Sequence, residues 1–91
     1  ILEEMIAGAK SRGAVEGKNL WRVPDRGGAI RFALDLAQPW DAVLVCGKGH
    51  EQSMCFGEIE YLWDDGIALT AALADYLDVP GPEMPRLPTS A

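Results

Sequence analysis

Gly47-Lys48-Gly49-His50-Glu51 puts two glycines, a cation, an imidazole and a carboxylate into five consecutive residues. The glycines let the backbone turn and approach a partner closely, and the side chains can read a charged one. Ahead of them runs Val43-Leu44-Val45-Cys46. An apolar run without polar alternation predicts a strand buried on both faces, the usual state of a parallel strand. Ligands in such sheets bind just beyond the carboxyl ends of strands. The five residues therefore read as a site. Gly-Lys-Gly lacks the GxxxxGK[ST] spacing of a phosphate cradle, so its glycines serve close approach to a small ligand.

Each side chain has a plainer reading beside the functional one. Lys48 is a contact for a phosphate or a substrate carboxylate, or a solvated loop cation. His50 carries a proton, or orients the loop through a hydrogen bond. Glu51, directly beyond a buried strand, is read as a ligand group in preference to a surface carboxylate. Cys46, His50 and Cys55 fit no recognised zinc or redox spacing. As the last residue of a buried strand, Cys46 is expected to act as a small hydrophobe.

The elements that position this loop follow from periodicity. Leu2, Met5, Ile6 and Ala9 fall on one helical face, with Gly13 as the stop. A short strand is expected over Asn19 to Val23, ended by Pro24. Asp25 caps a second helix bearing Ala29, Ile30, Ala33, Leu34 and Ala37. Gly27 and Gly28 weaken its first turn, by about 1 kcal/mol each relative to Ala. Pro39 ends it, and strand Ala42 to Cys46 completes a right-handed βαβ crossover. Met54-Cys55-Phe56 and Ile59 to Trp63 flank Gly57-Glu58, which suits a two-residue hairpin turn. Asp64 or Asp65 caps a last helix with Leu69, Leu73, Tyr76 and Leu77 as its stripe; capping is preferred over a metal pair. Asp25-Arg26 is read as a cap and a structural ion pair. Trp21, Trp40 and Trp63 are read as core or domain-contact aromatics.

The predicted fold class is α/β: part of a doubly wound, Rossmann-like domain, mostly parallel, with an antiparallel hairpin. Residues 1–79 form the folded fragment, and the proline-dense segment 80–91 is an extended or disordered tail. So few core strands leave a parallel sheet uncovered, and further strands are expected upstream of Ile1. The chain has 91 residues, 48% hydrophobic and 24% charged, which fits a globular domain and argues against disorder. A net charge of −6 with scattered basic residues argues against nucleic acid. No run approaches the roughly 20 apolar residues of a membrane span, and the two cysteines make no secreted disulfide framework. A cytoplasmic protein with reduced thiols is expected.

Val43 to Gln52, with Asp25-Arg26 and Ala29-Ile30 before it and Tyr61-Leu-Trp-Asp-Asp65 after the hairpin, closely resembles the C-terminal domain of the Mur ligases. Within that family it is similar to the branch that adds the third amino acid of the peptidoglycan stem peptide. The similarity runs from about Leu2 to Leu77. It implies an ATP-dependent amide ligase that activates UDP-MurNAc-L-Ala-D-Glu as an acyl phosphate. The amine of meso-diaminopimelate or lysine then attacks, with Mg²⁺ offsetting the phosphate charge. Carried over by motif position, Gly47 and Glu51 touch the incoming amino acid, and Lys48 and His50 belong to the same substrate-binding loop. A zwitterion needs a carboxylate for its ammonium and close backbone for its own carboxylate. ATP and Mg²⁺ are expected on a central domain outside this chain, so the segment alone is not expected to catalyse ligation. Gly66 departs from the Arg usual in the family after the paired aspartates, and Gly27-Gly28 from better helix formers. A non-catalytic binding module of the same fold, or a ligase of another pathway, are the alternatives.

Overall fold

Apolar spacing and capping residues produce the helices nearly where the pattern puts them. The computed structural model describes residues 2–46, 53–56 and 58–90. Its elements are α1 (Leu2–Ser11), α2 (Arg26–Leu36), β1 (Ser53–Phe56), β2 (Ile59–Leu62) and α3 (Asp65–Leu77). In α1, Glu3 and Glu4 lie in the first turn and Lys10 in the last, which suits the helix dipole. Gly13, at φ +96°, ends the helix, and the Ala14 N–H reaches back to the Ala9 carbonyl. Ile6 is the buried residue of its apolar face. Asp25 caps α2 by accepting from the Gly28 N–H at 2.8 Å. Asp64, not Asp65, caps α3, accepting from the Ile67 N–H at 3.1 Å.

The expected hairpin pairing forms, while Gly57 of its turn lies outside the described residues. Strands β1 and β2 are antiparallel, with Ser53 opposite Leu62 and Phe56 opposite Ile59. Phe56 and Tyr61 meet edge to face at 5.7 Å across this ladder. Trp63 follows at once and is the centre of the core, 1% exposed. Around it cluster Ile30 of α2, Ala68 and Ala72 of α3, and Leu87. A Cβ at position 27 would stand 3.1 Å from the Met84 sulfur and 3.5 Å from the Trp63 ring. The glycine that weakens the first turn of α2 is thus what lets Met84 and Trp63 close over it.

Three expectations are corrected. The parallel βαβ crossover is not formed among the described residues, where the sheet is the two-stranded hairpin. Residues 19–23 contribute one isolated bridge, Leu20 to Glu16, instead of a strand. Residues 42–46 run beside α2 with no regular secondary structure and pair with no described strand. Leu44 is 83% exposed and the Cys46 thiol is exposed, so this run is not buried on both faces. A parallel strand is buried only by neighbours on each side, and none is present among the described residues. Val45 alone of this run packs against the core cluster.

The stripe of α3 also differs. Its buried residues are Ala68, Ala71, Ala72 and Ala74, with Leu69 half-buried. Leu73, Tyr76 and Leu77 are exposed. Helices α2 and α3 pack directly together, and the small side chains are the ones that permit that approach.

Residues 80–90 have no helix or strand, yet they are tied down. Leu87 is 5% exposed within the core. Thr89 Oγ1 donates to Asp25 Oδ1 at 2.8 Å, while Asp25 Oδ2 caps α2. One carboxylate therefore starts a helix and holds the end of the chain. Of the other tryptophans, Trp21 stacks edge-on against Phe32 at 5.5 Å, and Trp40, at φ +77°, is fully exposed.

Candidate functional site

Gly47, Lys48, His50 and Glu51 lie outside the described residues, and the structure speaks to their surroundings. Residues 42–46 lead into the loop, and β1 leads away from it at Ser53. Cys46, at the entry, meets a polar corner built from Arg26, Trp63 and Asp65, and Ser53, at the exit, pairs with Leu62 just before Trp63.

The corner is centred on Arg26, the first residue of α2. Its Nε donates to Asp65 Oδ1 at 2.7 Å and its Nη2 to Asp65 Oδ2 at 2.6 Å. This is the two-pronged geometry that a planar guanidinium makes with a carboxylate. Nη2 also donates to the Cys46 carbonyl at 3.2 Å. Trp63 Nε1 donates to Asp65 Oδ1 at 2.6 Å. The hydrogen bond to Asp65 raises the Arg26 pKa further above its ordinary value, partial burial opposing it and the Asp65 charge adding to it. Arg26 is thus a permanent cation. The pair is partly buried, and removing one partner would strand the other among apolar neighbours.

Sequence reasoning placed Asp25-Arg26 as a cap and an ion pair, and Asp25 does cap. The partner of Arg26, 39 residues away, was not identified. A signal was present: a helix needs one capping aspartate, so the doubled Asp64-Asp65 leaves a carboxylate to spare at a second helix start.

A cavity of about 190 Å³ lies between α2 and residues 42–46, lined by Arg26, Ile30, Ala33, Val43, Val45 and Cys46. A larger concavity of about 630 Å³, between the tail and the helices, is lined by residues of both charges including Asp25, Arg31, Asp75 and Arg86. None of its lining residues adjoins the loop. Among the described residues no three His, Cys, Asp or Glu side chains gather to hold a metal ion. Cys46 and Cys55 are free thiols. No described helix is long and apolar enough to cross a membrane.

Comparison with known proteins agrees with the motif. The chain is 41% identical over 75 residues to the UDP-N-acetylmuramyl-tripeptide synthetase of Roseiflexus sp. (strain RS-1), covering 82% of this chain and 15% of that protein. It is 40% identical over 75 residues to the UDP-N-acetylmuramoyl-L-alanyl-D-glutamate–2,6-diaminopimelate ligase of Geobacillus kaustophilus (strain HTA426), covering 82% and 14%. The corresponding ligase of Chlorobium phaeobacteroides (strain DSM 266 / SMG 266 / 2430) is 42% identical over 72 residues, covering 79% and 14%. The chain spans about 15% of the length of the curated relatives it matches. No family model matches the chain, and no solved structure does. Over most of its own length, this chain is similar to a segment of the Mur ligases, in their tripeptide-synthetase form.

Proposed function

We propose that the chain is the amino-acid-binding segment of an ATP-dependent amide ligase of peptidoglycan synthesis. The observation that carries this reading is identity near 40% over some four-fifths of the chain to tripeptide synthetases and diaminopimelate ligases. The Gly47 to Glu51 motif beyond an apolar run supports it.

In this reading the whole enzyme joins meso-diaminopimelate or lysine to UDP-MurNAc-L-Ala-D-Glu. ATP supplies the phosphoryl group that activates the acceptor carboxylate. In this reading ATP and Mg²⁺ are held by a central domain of the whole enzyme. The work assigned to this segment is binding. Glu51 receives the ammonium of the amino acid, and Gly47 lets the backbone come close to its carboxylate. Lys48 and His50 complete the loop, as a second cation and an orienting group. Fold follows function here: residues 42–46 become a paired parallel strand of a doubly wound domain, and residues 1–79 are the fragment of it in hand.

The test is steady-state kinetics of the full-length protein with UDP-MurNAc-L-Ala-D-Glu, ATP and either diamino acid. Glu51→Ala should raise KM for the amino acid far more than KM for ATP. Equal effects on both would make Glu51 structural. A wild-type protein that joins neither amino acid would refute the ligase reading itself.

A further inference from the structure

We propose that Arg26 is a positioning residue for the amino-acid site: clamped by Asp65, its guanidinium holds the Cys46 carbonyl and so aims the backbone entering Gly47. The proposal rests on the ligase reading for its function, and on the geometry of described residues for its mechanism. Nη2 carries two hydrogens. One reaches Asp65 Oδ2 and the other the Cys46 carbonyl, while Nε–H takes Asp65 Oδ1. Asp65 is itself fixed, because Oδ1 also accepts from Trp63 Nε1 and the Trp63 ring is the most buried large side chain described.

The other end of the loop refers to the same corner. Ser53 pairs with Leu62, the residue before Trp63. Entry and exit are therefore both measured from the Trp63–Asp65 unit, one through Arg26 and one through the hairpin ladder. This explains why an arginine stands at the start of α2, where a cation opposes the helix dipole. Lysine cannot replace it. Its donors share one nitrogen and cannot span two carboxylate oxygens and a carbonyl in one plane.

The test compares Arg26→Lys with Arg31→Lys in the full-length protein. Arg31 makes an exposed pair with Asp75 at 3.1 Å, away from the loop, and serves as the control. Arg26→Lys should raise KM for the diamino acid about tenfold or more, since small displacements in a binding site are costly, with KM for ATP within about twofold of wild type. Arg31→Lys should leave both unchanged. A fall in thermal stability without a change in either KM, or a parallel rise in both, would reduce Arg26 to a structural ion pair. Hydrogen–deuterium exchange supplies a readout independent of ligation. Peptides covering 43–56 should exchange faster in Arg26→Lys and not in Arg31→Lys. Unchanged exchange there overturns the proposal even if the wild-type protein proves to ligate nothing, an outcome that would refute the ligase reading alone.

Discussion

Gly81→Ala is the sharpest test of the docked tail. A Cβ at position 81 would fall 2.5 Å from the Ala74 Cβ. Carbon atoms in contact prefer about 3.5–4.0 Å, so the tail and α3 must separate by about 1 Å or more. No rotamer can relieve this, because each group is a single methyl on its own backbone. Ala74 is buried, and Met84 and Leu87 further along the tail pack against the core. Overpacking of this kind costs about 1–3 kcal/mol, measured as the loss of unfolding free energy in urea. Ala74→Gly removes the obstacle at a cost of about 1 kcal/mol in helix propensity. On that background Gly81→Ala should be nearly neutral, giving a coupling of about 1–3 kcal/mol between the two sites. If the two changes add within about 0.5 kcal/mol, or Gly81→Ala alone leaves stability unchanged, the tail is not packed on α3 as described.

The two neighbouring aspartates should separate in the same urea assay. Asp64→Ala loses a cap, about 1 kcal/mol, whereas Asp65→Ala deprives Arg26 and Trp63 Nε1 of their acceptor and should cost about 2 kcal/mol or more; a reversed order would return the capping role to Asp65. Glu16 receives Arg22 and Lys10, and the Arg22 hydrogen bond, followed by that from Lys10, lowers its pKa from 4.5 to about 2. Because the folded value lies below the unfolded one, any stabilisation is complete above about 4.5 and fades as pH falls through about 2. The pair lies at the surface, so added salt should move an NMR-detected Glu16 titration back upward, and a salt-independent value near 4.5 would remove the pair.

What was legible in the sequence was local. The α2 cap at Asp25, the α1 stop at Gly13 and the pairing of β1 with β2 are encoded within a few residues, and all three form. The 42–46 run was read as a buried strand, but it forms no strand among the described residues, because pairing and burial of a parallel strand depend on distant neighbours that its own sequence cannot specify. The α3 stripe was misread because leucines outrank alanines in any apolar pattern, while helix packing at close range selects the smaller residue. The Arg26–Asp65 pair and the seat of Leu87 are long-range facts of the same sort. The four residues of the binding loop remain the motif's own claim, made from their types and from where the apolar run ends.

The unpaired run before Gly47 has a consequence for anyone handling this polypeptide. Residues 42–46 present a rim whose peptide groups meet no described strand, beside the bare side chain of Leu44. Such a rim is a template on which any complementary strand can zip, including the same rim on a second copy. Its closest acidic guard is Asp41, one residue before the ribbon begins. Concentrated samples of this segment should therefore self-associate through that rim, and a lysine or proline introduced at Leu44 should keep them apart.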